Sequence, residues 1–223
     1  MAIPIEPTPK QNVRSMVERA AWATTSVLPD VRVAFSTERP FEQILQERRT
    51  RRVFDPVPLR EVRGFVQHLF ALQYEGHGRQ AGRARKAFLS AGALHPIDVI
   101  ILAGPEVDEP ILFDDRRSKF GTLPILDVIG FNEAVSAANA VQSTARGHLL
   151  LFAGDSRLVA ANYHESQSLL WRDAGAALQA CAIGAQAYGY AFCPLGTTGR
   201  EALRALGPPH REYIALALAV LGR

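Results

Sequence analysis

The apolar positions of the chain fall into two periods, one of helices and one of strands. From Gln11 to about Ser26, Val13, Met16, Val17, Ala20, Ala21 and Thr24 share one helical face, and Pro29 closes the run. PFEQILQERR (40–49) predicts a short helix with Pro40 near its first turn and Ile44 and Leu45 on its apolar side. VPLREVRGFVQHLFALQ (57–73) holds the helical period through Leu59, Val62, Phe65, Val66, Leu69 and Phe70. Residues 74–89 are polar and glycine-rich and predict a loop. IDVIILAG (97–104) has the β-branched run of a strand, and ILFDD (111–115) predicts a second, short one. A helix is expected around Asn132–Ala145, then a strand at HLLLFAG (148–154). SLLWRDAGAALQACAIGAQAYG (168–189) predicts the longest helix, stopped by Gly189. A short helix over Arg200–Leu206 and a last strand at EYIALALAVLG (212–222) complete the chain.

Strands interspersed with helices, without a repeat or a long linker, predict an α+β domain over 40–223. An extension of 1–39 with one helix precedes it. The 168–189 helix is apolar on nearly every face, which places it in the core or at a subunit interface. Ala174 to Gly199 carries no charge. It is rich in Ala, Gly, Gln and Tyr and broken by Pro194, so a buried helix is expected there and not a membrane span.

Composition changes this picture little. In 223 residues, 48% are hydrophobic and 21% charged, which is ordinary for a globular chain. The net charge is only +3 and most arginines are dispersed, so no nucleic-acid partner is expected. Cys181 and Cys193 lack metal-ligand spacing and predict two buried small side chains. MAIPIEPTPK has no apolar leader core, which points to the cytoplasm. There is no nucleotide-binding G-x-x-x-x-G-K-[ST] loop and no G-x-S-x-G elbow. GHGRQAG (76–82) has its third glycine one place late for a dinucleotide fingerprint and follows no predicted strand.

ERRTRRVF (47–54) is the densest chemistry. Arg48, Arg49, Arg51 and Arg52 surround Thr50, and an apolar pair follows. Forked guanidiniums with a hydroxyl suit a phosphate; a solvated charged face is the plainer alternative. Two more segments bear on the choice. LSAGALHPIDVIIL (89–102) leads small residues into a strand, letting backbone amides approach a ligand closely. AYGYAFCPLGTTGR (187–200) puts a Pro-Leu-Gly turn directly after the long helix.

In this order and spacing, the three segments resemble the FMN-dependent nitroreductase family over about residues 40–222. SAGALHP is most similar to its SagB-type dehydrogenase branch. The resemblance implies an antiparallel-rich sheet flanked by helices, in an obligate homodimer with the long helix at its interface. It implies that Arg48, Arg49, Thr50 and Arg52 hold the FMN phosphate and ribityl chain. Ser90, Ala91 and Gly92 would line the flavin from the partner side or below the ring, and Pro194, Leu195 and Gly196 would contact the ring. It further implies a substrate that is a small molecule or a peptide- or carrier-bound heterocycle such as an azoline, with other biosynthetic proteins as partners. NAD(P)H reduction of nitro compounds or quinones is the alternative activity, and a non-catalytic scaffold subunit of a modification complex the third.

Two departures stand out. The branch carries a Lys-Tyr pair before the long helix; here Asn162 stands at the lysine and Tyr163 is kept. Asn is no base at neutral pH, which leaves His164 as the base beside Tyr163 or as a surface histidine. Many relatives continue past the last strand and bring a cation to the phosphate; here Arg223 is the residue available.

Overall fold

The apolar runs of mid-chain become the centre of one sheet. The computed structural model describes residues 6–11 and 17–223, with Arg79 by its backbone alone. The first half runs β1 (Thr8–Pro9), β2 (Ser26–Val27), α1 (Phe41–Glu47), α2 (Leu59–Phe70), β3 (Tyr74–Glu75), β4 (Ala84–Arg85), β5 (Ile97–Ala103), β6 (Ile111–Asp114) and β7 (Lys119–Thr122). Then come α3 (Val128–Val141), β8 (His148–Asp155), α4 (Ser156–Asn162), β9 (Tyr163–His164), α5 (Gln167–Tyr188), β10 (Ala191–Pro194), α6 (Arg200–Ala205) and β11 (Tyr213–Gly222). Seven strands pair antiparallel in the order β10-β11-β8-β5-β6-β7-β2.

Both faces of this sheet are covered, which is why its central strands read as unbroken apolar runs. Successive side chains go to opposite faces. Leu150 and Phe152 of β8, with Ile97, Val99 and Ile101 of β5, meet α2 and α5. Leu149, Leu151 and Ala153, with Ile100 and Leu102, meet α3 and α6 through Phe131, Leu203 and Leu206. A bulge between Ala215 and Ala217 shifts the register of β11 on β8, and Leu216 and Ala217 both fall on the α5 face.

Helix α5 buries Leu170, Ala174, Ala177, Cys181 and Ala185 at three- and four-residue spacing. At Gly184 a Cβ would sit 3.3 Å from Leu69, so the missing side chain lets α2 approach closely. Gly189 ends the helix at φ 74°, its N–H bonded to the Ala185 carbonyl. The neighbouring stripe, one residue further round the helix, has Trp171 and Gly175 exposed and Leu178 and Ala182 half-buried. Both cysteines are buried and free.

The helix expected over 11–26 is not found in its described part. Residues 12–16 lie outside the described residues, and 17–25 form no helix. The chain instead runs along the sheet edge as a strap: Thr25 N–H bonds the Thr122 carbonyl at 2.9 Å and Leu28 N–H the Phe120 carbonyl at 2.8 Å. An open β7 edge competes for the same backbone groups a helix would use. Side chains pin the strap down. Arg19 pairs with Asp98, and with Asp115 at 2.8 Å, and Trp22 Nε1 donates to Asp98 at 2.9 Å. Lys86 completes the buried group on Asp115. Further elements were not expected, among them β7, α4 and β10. Each is seven residues or shorter, and periodicity is a weak signal over so few positions. The 74–89 loop contains the small β3–β4 hairpin.

Candidate active site

The arginine run leaves α1 where that helix abuts the end of α5. Arg39 pairs with Glu47 and donates Nη1 to the Gln186 carbonyl at 2.9 Å, and Gln186 Nε2 reaches Glu47 at 3.4 Å. Arg48 caps α1 through its N–H to Ile44. Arg48 is half-buried, and Arg49, Thr50, Arg51 and Arg52 are exposed. None of the four guanidiniums forms an ion pair among the described residues. Phe54 then returns to the core over Gly222, where a Cβ would meet it at 2.9 Å.

Tertiary structure sets this run beside the Pro-Leu-Gly turn. Arg52 reaches Cys193 and partly offsets the burial that pushes that thiol above its usual value. The next residue, Pro194, is exposed, Leu195 is half-buried, and Gly196 has nothing within 4 Å of a Cβ. Arg223 comes close by backbone only. It exchanges hydrogen bonds with Asp55 at 2.9 and 2.5 Å. Its guanidinium turns away, to Glu61 at 3.0 Å and over the Tyr190 ring at 5.3 Å. Burial, and then Glu61 accepting its proton at 2.8 Å, push the Tyr190 phenol up to about 12.

A second cluster forms at the start of α5. Ser90 Oγ donates to Asp173 at 2.5 Å, Ala91 N–H donates to the same carboxylate at 2.9 Å, and His95 N–H returns to Ser90 Oγ at 2.8 Å. Gly92 has φ 59°, and a Cβ there would stand 2.8 Å from the Tyr163 hydroxyl and 3.3 Å from Arg83 Nη1. Glycine is required twice over, by conformation and by space. Arg83 donates to the Gly92 carbonyl at 2.5 Å. Asp173, which helix position alone marks as a solvated charge, is thus buried and builds the loop. Burial raises its pKa, against the two donors.

Tyr163 and His164 form β9, which pairs with β1 as Thr8 to His164 and Pro9 to Tyr163. Tyr163 is half-buried beside Gly92, while His164 is exposed. Asn162 spends its amide on the Leu158 carbonyl at 3.0 Å, capping α4. His95 is buried edge-on to Phe88 at 5.4 Å. Burial, and then nearby Lys86, push its imidazole down to about 4. Among the described residues no helix is long and apolar enough to cross a membrane, and no cluster of His, Cys, Asp or Glu could hold a metal.

The two clusters do not meet within one chain. Ser90 and Ala91 are held at Asp173, and α1 at Gln186; the intervening helix spans about 20 Å.

No protein-family model matches the chain, and no curated protein sequence does either. Solved structures match in fold. One, described as a nitroreductase from Ralstonia eutropha JMP134, aligns at TM-score 0.64 and 17% identity over 98% of both chains. A chain of the E. coli microcin synthetase McbBCD complex with truncated pro-MccB17 bound aligns at TM-score 0.59 and 12% identity, over 94% of this chain and 84% of that one. One described as an NAD(P)H:FMN oxidoreductase from Staphylococcus epidermidis ATCC 12228 aligns at TM-score 0.55 and 12% identity, over 85% and 89%. The fold is nitroreductase-like: α+β, with an antiparallel central sheet flanked by helices.

Proposed function

We propose that this chain is an FMN-dependent oxidoreductase that works as a homodimer. The observation that carries this is the unpaired guanidinium row beside an exposed Pro-Leu-Gly turn. An unneutralised cluster of that kind fits the phosphate of a bound mononucleotide. Arg48, Arg49, Thr50 and Arg52 would hold the phosphate and ribityl chain. The exposed backbone of Pro194, Leu195 and Gly196 would lie along the ring. Arg223, turned to Glu61, contributes at most through the backbone that positions Asp55.

A dimer follows from the separation of the two clusters. The part-exposed stripe of α5, at Trp171, Gly175, Leu178 and Ala182, is apolar and small-surfaced, which suits close packing on a second helix. Two copies related by a two-fold axis, with these helices antiparallel, would set the Ser90–Gly92 turn of one against the arginines of the other. Each site would then need both chains.

A bound flavin would supply a two-electron acceptor or donor at N5. The chain's own part is to orient substrate and manage its proton, with the Tyr163 hydroxyl at Gly92 as the nearest group. The finer reading is a SagB-type dehydrogenase that oxidises a peptide- or carrier-bound heterocycle such as an azoline. The SAGALHP segment and the fold shared with a microcin synthetase chain support it, and other biosynthetic proteins would be its partners. One observation favours NAD(P)H-dependent nitro or quinone reduction instead. Asn162 is an amide locked on its own helix, so only exposed His164 remains as a base beside Tyr163.

The test is flavin uptake. Purified protein titrated with FMN should develop a bound-flavin spectrum, and Arg48→Ala with Arg52→Ala should weaken binding by about tenfold or more, the scale of lost charge-assisted hydrogen bonds. A chain that takes up no FMN is not this enzyme, and a scaffold subunit becomes the reading.

A further inference from the structure

A cavity of about 450 Å³ opens beside Tyr163, between the strap and the loop after β3. Val17 and Glu18 of the strap form one wall. Arg83, Leu94, Arg116 and Leu158 face them, and Asn162 lines the floor beneath Tyr163. The wall is held in place from below, because the next residue, Arg19, is locked between Asp98 and Asp115. The volume lies within the range of small-molecule sites. Leu94, Leu158 and Val17 give it an apolar body.

The lining holds two guanidiniums and one carboxylate. Arg83 and Arg116 form no ion pair among the described residues. The residues outside the description, 1–5 and 12–16, contain no carboxylate in their sequence. Asp115, which lines an adjoining small pocket, is already engaged by Arg19 and Lys86. Asp114 accepts from the backbone N–H of Arg116 and Arg117 and pairs with the Arg117 side chain. Glu18 is the one carboxylate in the lining, against two exposed guanidiniums, and Glu75 stands with them in the adjoining pocket. Arg83 uses one N–H on the Gly92 carbonyl, and four of its five donors remain.

We propose that this cavity binds the carboxylate of a small molecule, with Arg116 and Arg83 as the residues that select it. A planar carboxylate matches a guanidinium fork, and Arg83 ties the bound anion to the Gly92 turn on which Tyr163 rests. That the molecule is the enzyme's substrate rests on the flavin reading above; that the cavity takes a carboxylate does not. Under that reading, the arginines hold the acid group next to the Gly92 turn, against which the Tyr163 hydroxyl stands.

The experiment is calorimetric titration of the full-length protein with 4-nitrobenzoate, its neutral methyl ester and 4-nitrophenyl phosphate, alongside FMN uptake on the same sample. The acid is expected to bind and the ester to bind at least about tenfold more weakly, with Arg116→Ala erasing the difference and Arg116→Lys restoring part of it. Arg116 makes no side-chain bond to the rest of the described protein, so its variants should fold; thermal melts confirm this. Arg83→Gln should act in the same direction. Equal binding of acid and ester, or an acid affinity unchanged in Arg116→Ala, overturns the proposal even if FMN binds. Preference for the phosphate ester over the acid overturns the carboxylate assignment in favour of a phosphate. Carboxylate selection without FMN uptake upholds the anion site and removes the flavin reading.

Discussion

At the scale of residues, the decisive features are charges that burial has rearranged. Asp173 builds the Ser90–Gly92 turn from inside a nearly uncharged helix. His95 sits at φ 47° with its ring between Phe88 and the Lys86 group. Its folded pKa of about 4 lies below the usual imidazole value of 6.5. The unfolded chain therefore binds the proton more readily between those two values, and the fold loses stability as pH falls through that window. Asp115 adds a lower step. Burial opposes its charge, but Arg19 and then Lys86 outweigh this and hold it at about 2. The stability it confers is present above about 3.8 and is lost as pH falls towards 2. Urea melts from pH 7 to 4 should show a falling midpoint, and His95→Gln should flatten that slope. An imidazole that titrates near 6.5 in NMR would contradict the buried, neutral assignment.

At the scale of elements, the strap is the part whose loss should be felt furthest away. Its regular pairing amounts to the two residues of β2 against β7, so its attachment depends on Arg19 and Trp22. Arg19→Ala leaves two buried carboxylates with Lys86 as their remaining cation among the described residues, Asp98 keeping the neutral donors Trp22 and Tyr213. Removing one member of a buried ionic group costs about 3–5 kcal/mol. The expected result is a lower urea midpoint together with new protease cleavage within 17–39 under native conditions. Cleavage unchanged from wild type would mean that the strap is held by its backbone and by Trp22. Because Val17 and Glu18 wall the anion cavity, the same variant should lose 4-nitrobenzoate binding.

At the scale of the whole molecule, the proposed flavin site needs two chains. Ala182→Glu puts a charge in the middle of the α5 stripe without touching either cluster. It is expected to halve the mass measured by light scattering, keep the helical circular dichroism, and abolish FMN uptake. A monomeric variant that still binds FMN at wild-type strength would show that the arginine cluster suffices without a second copy.

The long elements were legible from the chain alone because both sheet faces and the α5 stripe demand apolar residues at fixed periods: α2, β5, β8, α5 and β11 all fall where periodicity puts them. The arginine run and the Pro-Leu-Gly turn were legible as chemistry, since guanidinium forks and exposed turns are local properties. What tertiary structure alone decided is where these pieces stand. It brought Arg52 to Cys193, turned Arg223 away to Glu61, and buried Asp173 under Ser90. It also drew residues 17–25 out of a helical pattern into a strap, because an unpaired β7 edge and two buried carboxylates offered that segment better partners than its own backbone. Periodicity reports which face of an element is dry; it carries no information about which distant charge or open edge that element will meet.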